Sequence, residues 1–251
     1  MRLPFSRALT RASVLAVAAA LPVGALRAQA KTPDDRPTIA VMYFSNAALV
    51  KHDEYEPLSK GMAEMLITEL SANPALHVIE REQLQKLLDE QNLGGAGRVD
   101  QATAVKIGKL LGARHMLFGG FVIDFKNRMR LDLRSVDAET STIEYVQSLT
   151  GNADNVLDLI AELGGKVSKG LKLPPNPTGT ARPASLPAPS GGSAPKGDQL
   201  RSVVLMGRAM SEQDKGNNAG AIALYEKSIE AYPDNPRAKE ILAQLKAKGG
   251  N

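Results

Sequence analysis

Between Val78 and Val122 the order of apolar, charged and glycine positions leaves few folds open. Val78-Ile79 reads as a strand end, after which Leu84, Leu87, Leu88 and Leu93 recur at helical spacing, so strand gives way to helix near Arg81. The glycines of LGGAG leave too much backbone freedom for that helix to continue. Asp100, three residues before Thr103, is placed to cap a second helix carrying Ala104, Ile107, Leu110 and Leu111 on one face. Gly112 can take the left-handed conformation that closes helices, and HMLFGGFVI follows as a strand. Two helices and two strands must share one buried surface.

The flanks extend this unit. Upstream, TIAVMYF gives a β-prone run from Ile39 to Phe44, expected as the first and central strand. In LSKGMAEMLITELSANP, Leu58, Met62, Met65, Leu66, Glu69 and Leu70 define a mostly apolar helical face that stops at Asn73-Pro74, with Met62 and Met65 filling the core. ALHVIE adds a short strand. Downstream, FVIDFKNRMRLDLRSVDAETSTIEYVQSLTG gives a meander through the polar tip Asp124 to Arg128 and a turn at Asp137 to Thr140. Leu131, Leu133 and Val136 are expected on its buried side, against Asp132 and Arg134. A helix with the stripe Val156, Leu159, Ile160 and Leu163 closes the domain. The pattern predicts an α/β fold, a mixed sheet of about five strands flanked by helices with at least one right-handed crossover.

The acidic-Arg pair Glu80-Arg81 entering QLxxLLxEQ, the Gly-rich break, the helix ending KLLGA and the strand closing on FGGFV together resemble the periplasmic domain of the CsgG family, named for the curli-secretion component. The likeness extends more loosely over Pro37 to Leu171. It implies an envelope protein concerned with assembly or export, without an enzymatic reaction. The curli channel's long insertions form membrane-spanning hairpins, and a spanning strand needs about ten alternating residues. The tip Asp124 to Arg128 is too short and polar for that, so the resemblance carries over to the globular domain and not to the pore. The curli component is also anchored through a lipid on an N-terminal cysteine; this chain has no cysteine, so attachment to a membrane is expected only through a partner.

Residues 1–30 have the three parts of a secretory signal: Arg2, Arg7 and Arg11 in front, the apolar run Val14 to Leu21, and Ala28-Gln29-Ala30 as the cleavage site. This places the mature chain in the periplasm, associated with the outer membrane only through another protein. Of 31 basic and 27 acidic side chains, the leader takes four arginines and no acids, leaving 27 of each sign. Net charge therefore gives no support for a nucleic-acid partner. Secretion without disulfides suits a chain large enough to be held by its core.

Residues 31–172 form the CsgG-like domain, and residues 173–197, rich in Pro, Gly, Ser and Ala, read as a spacer. Residues 198–251 read as a small all-α module. Its GNNAGAIALYEKSIEAYPDNPRA resembles the second half of a tetratricopeptide repeat: Gly216 at the turn, Ala221 and Tyr225 four apart, Ser228 where a small residue is needed and Pro233 at the end. A preceding helix faces Leu205 and Ala209 inward, although Arg208 and Glu212 stand where apolar or aromatic residues are usual. These seven residues (Leu205, Ala209, Gly216, Ala221, Tyr225, Ser228 and Pro233) are the candidate packing or partner-binding positions. One repeat with a cap is too little to stand alone, so docking on the α/β domain, pairing with a second copy and binding a partner are all open.

No catalytic, cofactor or metal site is expected. His52, His77 and His115 lack metal-ligand spacing, and no nucleophile elbow surrounds Ser45 near His52 and Asp53. Gly94, Gly95 and Gly97 lack the Walker lysine and follow a helix, and Glu80 and Glu82 suit a helix N-terminus better than acid-base work. The expectation is a non-enzymatic periplasmic accessory of assembly or export whose partners are other envelope proteins or its own copies. The alternative is a periplasmic regulator of an envelope enzyme, similar to penicillin-binding protein activators.

Overall fold

Strand β1 (Thr38–Val41) organises the structure, because successive residues feed two different helical layers. Ile39 and Val41 join one apolar cluster, while Ala40 and Met42 join the other. A strand covered on both faces has to be apolar throughout, which is why TIAV lacks polar alternation.

The computed structural model describes residues 34–92, 100–177 and 198–249. The signal reading, the Gly94 to Gly97 break and most of the spacer lie outside the described residues. The elements below all belong to one compact unit that begins at Asp35.

The remaining elements are β2 (Ser45–Asn46), α1 (His52–Tyr55), α2 (Leu58–Ser71), β3 (His77–Val78), α3 (Arg81–Glu90), α4 (Gln101–Leu111), β4 (His115–Ile123), β5 (Arg128–Asp137), β6 (Ile143–Asn152), α5 (Val156–Gly170), α6 (Gln199–Asp214), α7 (Asn218–Ala231) and α8 (Pro236–Gly249). The sheet runs β3-β1-β4-β5-β6, with two-residue β2 beside β4 as a sixth strand. β1 is parallel to β3 and β4, whereas β4, β5 and β6 form the antiparallel meander. The mixed α/β class is as expected; β1 lies one strand in from the edge, and its run breaks after Val41 before resuming at β2.

The stretch Val78 to Val122 folds as its caps dictate. The Asp100 carboxylate accepts the Thr103 backbone N–H at 2.8 Å, and Gly112 closes α4 at φ +67°. Met62 and Met65 are fully buried. Val136 departs from expectation: it packs with Met116, Phe118 and Ile107 in the second cluster, opposite Leu131 and Leu133. The reason is parity, because residues three apart on a strand face opposite sides. The meander's first turn is tight, with the Asp124 carboxylate accepting the backbone N–H groups of Lys126 and Arg128 at 2.8 and 3.0 Å.

α2 is buried almost all round, which its assigned apolar face does not account for. One side meets the sheet and α5; Gly61 lies against α6 and Glu64 reaches Arg237 of α8, on what would otherwise be the wet side. The crossing is close. A Cβ on Gly61 would sit 2.5 Å from the Val203 carbonyl oxygen, and one on Gly207 would fall 3.3 Å from the Gly61 nitrogen and collide with the Pro57 carbonyl. Gly207→Ala must push the helices apart, and is expected to cost about 3 kcal/mol in urea unfolding, near the upper end for overpacked sites. Gly216, at φ +79° with open space around it, should lose only about 1 kcal/mol as alanine.

Several turns rest on ionised carboxylates. The Asp137 carboxyl is held below its usual range first by the Thr140 backbone N–H and then by Arg114, and Asp132 by Arg130. A depressed folded-state value adds stability that is complete above the unfolded value, near 4, and vanishes as pH falls through the folded one. The melting-temperature gap between the protein and Asp137→Asn should therefore be widest near neutrality and close as pH drops from about 4 towards 2.

Candidate functional site

Where α2, α3, α6 and α8 meet, the interior holds charge. Arg81, the first residue of α3, is 2% exposed. One guanidinium nitrogen donates to Asp214 at the end of α6 at 2.8 Å, the other reaches Glu82 at 3.2 Å, and Nε lies 3.9 Å from Glu64 of α2. Glu64, 1% exposed, accepts from Nε of Arg237 on α8 at 2.7 Å. Lys60 donates to the other Asp214 oxygen at 2.6 Å and stands over the Tyr43 ring, 5.4 Å from its centroid. Burial pushes the Glu64 carboxyl above its usual range, while Arg237 and then Arg81 oppose that shift. Burial also works against the Arg81 charge, but the oxygens of Tyr43 and Asp214 outweigh it, so the guanidinium stays protonated.

This cluster joins the α/β layer to the C-terminal helices across more than 130 residues of sequence. Around it the contact is apolar: Val203, Met206, Met210 and Leu200 of α6 share one core with Leu58, Met62 and Leu66 of α2. Gln199 adds a buried bond, its side-chain oxygen accepting the Leu157 N–H at the start of α5 at 3.1 Å. Of the three arrangements open for the tail, the structure shows docking.

Sequence reasoning missed Glu64, Arg81, Asp214 and Arg237 as a group. A signal was present: an ionisable residue inside α2, between Ala63 and Met65, needs a buried partner or a water-facing side, and its neighbours offer none.

Six of the seven tail positions lie at the α6–α7 hairpin. Ala209, Ala221, Tyr225 and Ser228 are fully buried and Leu205 is 9% exposed. The Tyr225 hydroxyl donates to Gln213 at 3.3 Å, and Ser228 Oγ donates to the Ser202 carbonyl at 2.8 Å. Gly216 makes the turn in the left-handed region. Pro233 stands apart, exposed beyond the end of α7. Glu80 caps α3 by position without a side-chain bond, and Glu82 turns to Arg81.

The histidines are scattered. His52 is exposed at the start of α1, 3.4 Å from Asp53, and His77 lies on β3. His115 meets Glu144 at 2.7 Å, and Glu144, the extra residue of a bulge in β6, also accepts from Ser135. Among the described residues no group of three or more His, Asp or Glu could hold a metal ion, and no helix is long and apolar enough to cross a membrane.

A mixed sheet with helices on both faces and a charged seam, in which Glu64 pairs with Arg237 and Arg81 with Asp214, fastening a helical tail defines an α/β protein. Residues 25–130 match the family model described as "Curli production assembly/transport component CsgG". The match ends inside β5, short of the looser likeness to Leu171. No curated protein matches the chain. Among solved structures, it is similar to the LpoB C-terminal domain from Salmonella enterica at 16% identity and TM-score 0.37, covering 46% of this chain and 82% of that one. It is also similar to lipoprotein GNA1162 from Neisseria meningitidis at 12% identity and TM-score 0.35, covering 54% and 99%.

Proposed function

We propose that the chain is a non-enzymatic periplasmic accessory of the bacterial envelope, serving assembly or export by contacts with other proteins. The observation that carries this is the CsgG-family match over residues 25–130, the stretch that builds the sheet's parallel part and the helices around it. β4 and β5 are joined by only Asp124 to Asn127, which fits the globular role and not that of a channel hairpin. The tail acts as a tetratricopeptide-like hairpin whose inward positions, Leu205, Ala209, Ala221, Tyr225 and Ser228, are spent on packing. Its partners then meet outer surfaces.

The test is fractionation of cells expressing the tagged full chain, followed by cross-linking and identification of what it holds. Recovery from the periplasm with components of an export or assembly system is expected. Enrichment of cell-wall synthases instead would favour a regulator of an envelope enzyme. Recovery from the cytoplasm, or turnover of a substrate by the purified protein, would overturn the proposal.

A further inference from the structure

Between Arg201 and Met210, only Arg201 and Arg208 of α6 are exposed; every other residue is buried. Seven residues apart on a helix, they share one face about 10 Å apart. Neither guanidinium has a hydrogen bond or ion pair among the described residues. Both border a cleft of about 550 Å³ between α1, the β4–β5 turn and α6, whose apolar floor is Tyr55, Leu200, Val204 and Leu205. Arg208 stands where a tetratricopeptide helix usually carries an apolar or aromatic residue, so packing does not explain it.

We propose that this cleft receives an acidic, extended segment of a protein partner, with Arg201 and Arg208 taking two carboxylates. The cleft's own acids are already engaged. Glu54 pairs with Lys51 at 3.4 Å, Asp154 accepts from Asn127 at 2.9 Å, and Asp198 caps α6 by accepting the Arg201 backbone N–H at 2.8 Å. The charged groups on this surface without a hydrogen bond or ion pair among the described residues are thus the two guanidinium groups, which favour carboxylates in forked geometry. A polyproline-like strand rises about 3.1 Å per residue with three residues per turn, so acids at positions n and n+3 lie on one side at nearly the arginine spacing. An apolar residue between them would reach the floor. At the rim, Leu49 is 59% exposed and Phe125 80%, each two residues from a cleft residue, Lys51 and Asn127. The interleaved acids disfavour a phosphate backbone or an anionic bilayer, which would need a continuous basic patch.

The inference rests on the protein-contact role proposed above. It is tested on the full chain without its leader, using a fluorescein-labelled proline-rich peptide with aspartates at n and n+3 and leucine between them. The control peptide carries asparagines. Anisotropy should show binding that weakens with salt and is roughly tenfold weaker for the control. Arg201→Glu with Arg208→Glu should lose roughly tenfold in affinity without a change in melting temperature, since both side chains are in water. Equal binding of the two peptides, no binding, or undiminished binding by the variant would overturn it. A photoreactive residue placed at exposed cleft position 54, and separately at exposed position 146 on β6, separates this failure from failure of the wider role. Protein adducts at 146 and none at 54 sink the cleft and leave the contact role standing; adducts at neither sink both. Adducts at 54 that vanish with Arg201→Glu support it.

Discussion

A chain shortened to end at Pro177 is expected to lose its cooperative unfolding transition and to bind apolar dyes as a loosened, aggregation-prone state. The cause is the outer side of α2, where Gly61 and Glu64 are buried under the C-terminal helices. Burying Leu200, Val203, Met206 and Met210 contributes about 1.5–3 kcal/mol each. Together they rival the roughly 5–15 kcal/mol net stability of a whole domain. Removing α6 to α8 also strips Glu64 and Arg81 of Arg237 and Asp214. Urea unfolding of the shortened chain, followed by far-ultraviolet and near-ultraviolet circular dichroism, checks this. A sharp transition within a few degrees or tenths of molar of the full chain would show the tail to be dispensable.

The second large effect is at Arg81. Arg81→Ala should cost about 3–5 kcal/mol, because it leaves the Asp214 and Glu64 carboxylates in one buried seam with one fewer cation. Arg81→Lys keeps the charge but loses the fork, and should fall between the two. Adding Asp214→Asn to Arg81→Met should recover more than half of the loss, since a neutral pair has no stranded charge. Lys60→Ala, whose side chain is 22% exposed, should cost no more than about 1 kcal/mol. Denaturant unfolding of each variant at neutral pH, with Arg81→Met alone as the reference for the recovery, supplies these values. An Arg81→Ala cost below about 1 kcal/mol would mean that water reaches the cluster and that it does not fasten the tail.

The parts of the fold legible in the sequence are those fixed by neighbours along the chain. Asp100 and Gly112 mark the ends of α4 by local backbone chemistry, and HMLFGGFVI is the observed β4 to the residue. Legibility failed where a side chain's fate depends on distant residues. Glu64 becomes a buried anion only because Arg237 lies 173 positions away, and Gly61 is a contact rather than a weak helix position only because Gly207 faces it. Arg81 could be read as part of a helix-entry motif, but its partner Asp214 lies across the spacer. The candidate cleft was half visible: Arg208 stood out as misplaced, yet nothing in the sequence brought it beside Tyr55 and Asn127.

The ends of the spacer are both held. Asn176 donates to the Ala72 carbonyl at 3.1 Å behind α2, and the Asp198 N–H bonds the Ala231 carbonyl at 2.8 Å. The intervening residues thus close a ring between two anchored points, and ring closure grows costlier only logarithmically, by about 0.6 kcal/mol for each doubling of length. Genetic insertion of a fluorescent reporter or an affinity handle between residues 178 and 197 is accordingly a mild perturbation, whereas the same cargo within α6 would split the body in two.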